Sequence, residues 1–227
     1  MTKVRTRLAG QGPGSRAFYQ VGRFVVVGFS RVWNRLSVEG REHVPVEGAF
    51  VLAPVHRSNM DTPYAAVATF RRLRYMGKDS LWKSAVSAWL LSALGGFPVS
   101  RDTADREALH RCLEILEAGE PLVLFPEGER KSGPVVLPLK DGAAYLAARA
   151  GVPIVPVGIG GSERAMGKGA RFIRPSKVHV IIGAPLRVEA SAEGSKVTSR
   201  RAVKDLSDRL HTQLQELFDR AQQRAGA

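Results

Sequence analysis

Short, continuous apolar runs recur along this chain with helix-like stretches between them, and this alternation restricts the fold more than any other feature. The runs are Phe50 to Val55, Pro121 to Phe125, Pro153 to Gly158 and Val178 to Ile182, with Leu73 to Met76 a shorter candidate. The first three are short and apolar throughout, the pattern of a strand buried in a sheet, while His179 and Arg74 interrupt the other two. Helical spacing fills the gaps: Pro63 to Phe70, Trp82 to Leu94, a segment from Asp102 or Thr103 to Gly119, Asp141 to Ala150, and Ser199 to Arg224. Strands alternating with helices predict an α/β sheet, and 227 residues suit a single domain with one substantial core.

Two of the predicted strands end abruptly in chemically capable residues. Val123-Leu124-Phe125 breaks at Pro126 and opens into Glu127-Gly128-Glu129-Arg130, so the chain passes from core to charge within a few residues. Val51 to Val55 likewise runs into His56-Arg57-Ser58-Asn59-Met60-Asp61. Strand ends of this kind are where open α/β sheets build their sites. Ser58 to Asp61 reads as a capping box with Pro63 in the first helical turn, so His56 leaves a strand while Asp61 stands at a helix entrance. A loop of that length can fold Asp61 back onto the imidazole. A carboxylate on one ring nitrogen holds the tautomer and leaves the other nitrogen as a general base.

No protein nucleophile accompanies His56. There is no G-x-S-x-G elbow, Ser58 is better used in capping, and Cys112 falls on the apolar stripe of its helix with Leu109, Leu113 and Leu116. The target of a His56 base is therefore a substrate hydroxyl, which predicts direct transfer of a group onto an alcohol. Lys78, Arg101, Arg130 and Lys131 follow strand or turn signals and can converge on one mouth, where guanidinium forks and the backbone beside Gly128 would suit a phosphate. The segment Gly161 to Gly169 imitates a P-loop, but five residues separate its glycines before the lysine and Gly169 stands where a Ser or Thr would bind magnesium.

Charge adds a second theme. The 34 Lys and Arg against 21 Asp and Glu leave a formal +13, an excess that attracts polyanions of any kind. Residues 1 to 38 carry seven basic residues and no acidic one until Glu39. From Arg16 to Leu36, at roughly 100° per residue, Arg16, Gln20, Arg23, Arg31 and Arg35 share an arc. Phe18, Val21, Val25, Phe29, Val32, Trp33 and Leu36 fall opposite, with Phe24 and Val27 as exceptions. Such a helix suits a headgroup boundary, so residues 1–37 are expected to be a basic amphipathic membrane-associating segment preceding a domain at 38–227. The uncharged run Ser84 to Ser100 is just short of a spanning helix, holds Gly95, Gly96 and Pro98, and reads as buried or interfacial, not spanning. The N-terminus lacks the apolar stretch of a secretory signal, and a single cysteine excludes an intrachain disulfide and any multi-cysteine metal site.

These residues together resemble the glycerolipid acyltransferase family, of the lysophosphatidic acid acyltransferase type. His56 to Asp61 is similar to its histidine, four residues, aspartate block. Gly96-Phe97-Pro98-Val99-Ser100-Arg101 resembles its second block, Phe125 to Arg130 its Phe-Pro-Glu-Gly-x-Arg block, and Val152 to Val157 its proline-rich strand. Pro138 to Ala143 also looks like the family's spacer, and the likeness runs over about residues 38 to 187. It implies an α/β domain with a mixed central sheet flanked by helices. It implies His56 as the base, Asp61 as its orienter, and Lys78, Arg101, Glu127, Gly128 and Arg130 as the glycerol phosphate site. The acceptor would be 1-acyl-glycerol 3-phosphate, with glycerol 3-phosphate or another lyso-lipid as alternatives. The donor would be acyl-CoA or acyl carrier protein, with Ser84 to Leu94 a wall for its acyl chain, no metal or cofactor required, and the enzyme peripheral on the cytoplasmic face of an anionic membrane. Val55 stands where the family commonly has asparagine, and Glu129-Arg130-Lys131 where Thr-Arg-Ser is common. The rival reading is a catalytically silent basic module for membranes or nucleic acid. Against nucleic acid, the basic residues come with an apolar helix face, whereas RNA-binding aromatics belong on an exposed platform.

Overall fold

The computed structural model describes residues 12–99, 105–188 and 199–227. One seven-stranded sheet organises them, in the order β1 (Ser37–Glu39), β7 (His179–Ile182), β6 (Ile154–Gly160), β2 (Val51–Pro54), β5 (Leu122–Val123), β3 (Arg74–Lys78), β4 (Gly96–Val99). From β6 to β4 every neighbouring pair is parallel, whereas β7 runs antiparallel to β6 and parallel to β1, so the sheet is mixed. All positions of β2, β6 and β7 are buried, the outcome that the unbroken apolar composition of β2 and β6 demands, and in β7 the one polar residue, His179, meets the Ser37 hydroxyl at 2.6 Å. The parallel run brings the carboxyl ends of β2, β5, β3 and β4 to one edge, and the residues after β2 and β5 build the site.

Helices cover the sheet. The long C-terminal helix α7 (Arg200–Ala225) lays Leu206, Leu210, Leu214, Leu217, Phe218 and Ala221 against it, and Ser199 caps its start by accepting from the Ala202 N–H. Contact with β6 is backbone to backbone: a Cβ on Gly158 would lie 2.4 Å from the Leu217 carbonyl, and one on Gly160 2.1 Å from that of Ala221. Helix α5 (Gly142–Ala150) ends at Gly151. Helix α4 (Asp105–Glu117) buries Cys112 and Leu116; its expected cap at Asp102 or Thr103 lies outside the described residues.

Several boundaries differ from the sequence reading. The strand expected at Pro121 to Phe125 is a two-residue ladder, because Pro126 lacks an N–H and the chain turns away after Leu124 donates to the Leu52 carbonyl. Helix α2 covers only Asp61–Ala65, and residues 66–73 run irregularly where a helix to Phe70 was expected. The segment from Trp82 splits into a 3-10 turn (Asp79–Trp82) and α3 (Ala85–Ala93), separated where Ser84 caps the second. Strand β1 is too short to show a period, and α6 (Ser162–Met166) is a single short helix.

The largest difference concerns the orientation of α1 (Pro13–Trp33). Its buried stripe is Ser15, Tyr19, Arg23, Val27 and Ser30, so Arg23 leaves the basic arc and turns inward. The Arg23 Nε donates to the carbonyls of Ala66 and Thr69, both at 2.9 Å, and its guanidinium lies 4.3 Å from the Phe70 ring centroid. The Tyr19 hydroxyl accepts from the Leu73 N–H, and buried Asn34 just past the helix accepts from the Tyr64 hydroxyl. Val21, Phe24, Val25, Phe29, Val32 and Trp33 are left exposed, Val32 by 82%. Trp89 of α3 meets Phe18 edge to face at 5.2 Å, and Val86, Trp89 and Leu90 extend the exposed apolar surface. Among the described residues, no helix is long and apolar enough to cross a membrane.

Candidate active site

His56 is held at every point except one ring nitrogen. The Val55 N–H still bonds to the Val157 carbonyl of β6, and the chain leaves the sheet at the next residue. The His56 N–H donates to Glu127 Oε2 at 3.2 Å, and its carbonyl accepts from the Lys131 N–H at 2.9 Å and from Arg57 Nη1 at 3.1 Å. Its ring stacks on Phe125, centroids 3.9 Å apart. Nδ1 lies 3.0 Å from Asp61 Oδ2. Nε2 is the nitrogen left to face a reactant.

Asp61 does more than touch the imidazole. Its side chain is fully buried, and Oδ2 also accepts from the backbone N–H groups of Arg57 and Ser58, each at 2.6 Å. The carboxylate thus closes the turn between β2 and α2 from inside. Ser58 donates to the Met166 carbonyl at 2.7 Å and accepts from the Met60 N–H, so it ties the turn to the end of α6 and does not cap Asp61's helix by a reciprocal box. Val55, where asparagine is common in the family resembled, is wholly buried.

The second strand end carries a correction. Glu127 is expected at the glycerol phosphate, yet it is 3% exposed and its carboxylate has no face toward a ligand. Oε2 accepts from Arg57 Nη1 at 2.7 Å and from the His56 N–H, and Oε1 from the Leu137 N–H at 3.2 Å. The N–H of exposed Gly128 closes a turn on the Phe125 carbonyl at 3.0 Å. The glycine also supplies a φ of 76° and room for Lys140, whose Nζ would stand 2.9 Å from a Cβ placed there.

Lys140 is the residue that sequence reasoning passed over. It lies in the Pro138 to Ala143 spacer, and its backbone N–H donates to the Pro126 carbonyl at 2.8 Å, drawing the lysine back to the strand end. Arg130 is half-buried two residues beyond Gly128. Exposed Glu129 pairs with Lys131 at 2.7 Å; the hydrogen bond from Lys131, then the charges of Lys131, Lys168 and Lys140, hold its carboxyl below the usual range. Lys78 ends β3, exposed at the same edge, and β5 lies between it and β2, about 10 Å across two ladder spacings. Arg101 lies outside the described residues. Cys112 is 1% exposed on α4 and burial pushes its thiol up to about 12, which leaves it no part in the chemistry. Among the described residues no group of three or more His, Cys, Asp or Glu could hold a metal ion.

Residues 35–160, more than half the chain, match the profile of the family described as Acyltransferase. Over 189 residues the chain is 26% identical to the 1-acyl-sn-glycerol-3-phosphate acyltransferase of Bacillus subtilis (strain 168), covering 83% of this chain and 90% of that one. It is 28% identical over 156 residues to the chloroplastic 1-acyl-sn-glycerol-3-phosphate acyltransferase BAT2 of Brassica napus, covering 67% of this chain and 45% of that one. In three dimensions it is similar to the crystal structure of PlsC, the 1-acyl-sn-glycerophosphate acyltransferase from Thermotoga maritima. There the TM-score is 0.72 and the identity 24%, over 92% of this chain and 83% of that one.

Proposed function

From the premise that this chain belongs to the acyltransferase family, we propose that it moves an acyl chain from a thioester onto the free hydroxyl of 1-acyl-glycerol 3-phosphate, giving phosphatidic acid. Membership answers the rival reading of a silent basic module. The names of the relatives support the acceptor. The observation that carries the mechanism is the 3.0 Å contact between His56 Nδ1 and a buried Asp61, which leaves Nε2 alone at the mouth.

His56 Nε2 takes the proton of the acceptor hydroxyl as its oxygen bonds to the thioester carbonyl carbon. The tetrahedral oxyanion then collapses, the C–S bond breaks, and the thiolate takes the proton back from Nε2. Asp61 holds the ring and stabilises the imidazolium meanwhile. The acceptor's phosphate is held by Arg130 and Lys140 at the neighbouring strand end, with Lys78 as a further cation at that edge and Arg101 assigned to the phosphate by its sequence block alone. Acyl-CoA or acyl carrier protein is the donor, a co-substrate, and no metal or cofactor is required. Ser84 to Leu94 walls the acyl chain. The exposed faces of α1 and α3 rest on an anionic membrane surface, which makes the enzyme peripheral on the cytoplasmic face.

The test is thiol release from acyl-CoA with lysophosphatidate. His56→Ala is expected to abolish turnover with the circular dichroism spectrum unchanged; turnover by the variant overturns the mechanism. A panel of glycerol 3-phosphate and other lyso-lipids separates the acceptors, and a preference for free glycerol 3-phosphate overturns the acceptor assignment.

A further inference from the structure

Two oppositely charged side chains are packed beside His56 with no open face toward substrate. Arg57 is 1% exposed and every nitrogen of its guanidinium is engaged. Nε donates to the Gly133 carbonyl at 3.0 Å, Nη2 to the Val135 carbonyl at 2.9 Å, and Nη1 to both the His56 carbonyl and Glu127 Oε2. Its guanidinium carbon lies 5.0 Å from the Phe218 ring centroid of α7. The pair thus ties the His56 loop, the 127–136 loop and the C-terminal helix together.

We infer that Arg57 and Glu127 are positioning residues for acyl transfer: Glu127 accepts from the His56 N–H, Arg57 donates to the His56 carbonyl, and together they set where the imidazole stands. This rests on the acyltransferase reading of the site. A buried ion pair is a weak source of stability, since well-packed apolar residues of similar volume replace such pairs at little loss. Apolar residues lack the acceptor and donor that His56's backbone uses here. Loss of the pair is therefore expressed in the placement of the base, and a displacement of about 1 Å slows a reaction roughly 100-fold. A phosphate ligand at Glu127 would have the other signature, a raised acceptor KM at unchanged kcat.

The full chain carrying Glu127→Gln, Arg57→Lys, or Arg57→Met with Glu127→Leu is compared with the wild type on lysophosphatidate and acyl-CoA. Urea midpoints and the Nδ1–H proton signal of His56 in 15N-histidine-labelled protein are recorded for each. The double variant is expected to fold with a lowered urea midpoint, because the His56 and Leu137 N–H groups lose their acceptor, with kcat down about 100-fold, acceptor KM nearly unchanged and the His56 signal shifted or lost. Glu127→Gln, which keeps an acceptor oxygen, is expected to retain more kcat than the double variant. Wild-type kcat in the double variant, or a loss confined to KM in Glu127→Gln, overturns the inference. Should the double variant not fold, Arg57→Lys decides, because one ammonium does not reproduce four donations: lowered kcat at unchanged KM supports the pair and wild-type kcat overturns it. If the wild type turns over no acceptor, the acyltransferase reading fails separately, and the His56 signal alone decides the pair: unchanged in the variants, it overturns the inference.

Discussion

The carboxylate of Asp61 serves the imidazole and two backbone N–H groups through one oxygen, so chemistry and local folding separate on substitution. Asp61→Asn keeps an acceptor for all three donors but removes the charge opposite the imidazolium; single-turnover thiol release is expected to fall about 100- to 10,000-fold with little change in urea midpoint. Asp61→Ala orphans both amides and is expected to lower stability by about 2–4 kcal/mol as well. Glu129 offers a milder test. Its charge stands among the lysines at the mouth, so Glu129→Thr is expected to lower the KM for lysophosphatidate by about two- to threefold, the effect shrinking with added salt. Cys112 carries a pH signature. Its folded thiol titrates near 12 against 9.0 when exposed, so the unfolded chain loses its proton first and stability falls as pH rises through that window. Tyr19, Tyr64 and Tyr75, also pushed up by burial, steepen the decline above 10, and Cys112→Ala is expected to show a shallower decline in alkaline melts. At this scale the sequence was legible where partners are near neighbours. His56 and Asp61 are five residues apart, whereas Arg57 and Glu127 are separated by 70 and their pairing exists only because β2 and β5 are neighbours in the sheet. Gly128 follows the same rule: a glycine after a proline-glutamate step announces a turn but not which carbonyl closes it.

Among the elements, continuous apolar runs gave away the central strands, because burial on both faces leaves no polar position. Strand β1 and the true end of β5 were hidden, being shorter than any period. The sharpest test at this scale is the contact of β6 with α7. Gly158→Ala or Gly160→Ala places a methyl against helix backbone that has no side chain to move aside, and each is expected to destabilise the fold by about 1–3 kcal/mol, read as a lowered urea midpoint. Helix α1 shows a different limit. Its two arcs were readable, but which side meets the body depends on the carbonyls of Ala66 and Thr69, acceptors that no helical wheel displays. An arginine was therefore drawn inward and the Phe and Val side left out.

For the molecule as a whole, a formal charge of +13 and the exposed face of α1 make one combined prediction. Cosedimentation with vesicles is expected to need both anionic lipid and the apolar side chains; Phe24→Ser with Val32→Ser abolishes it while thermal stability holds, and salt weakens it in the wild type. Equal binding by the double variant would remove the membrane role from α1. The inward stripe of that helix has a kinetic corollary. Tyr19 and Arg23 bolt it to residues 66–73, the stretch that follows the His56–Asp61 turn, so the helix is no loose tether and, on the proposed function, would hold that turn in a fixed place relative to the membrane. A catalyst seated that way samples its acceptor in two dimensions. Its velocity is then expected to track the mole fraction of lysophosphatidate in the vesicle surface, and diluting that surface with inert anionic lipid, at constant bulk acceptor, to slow it in proportion.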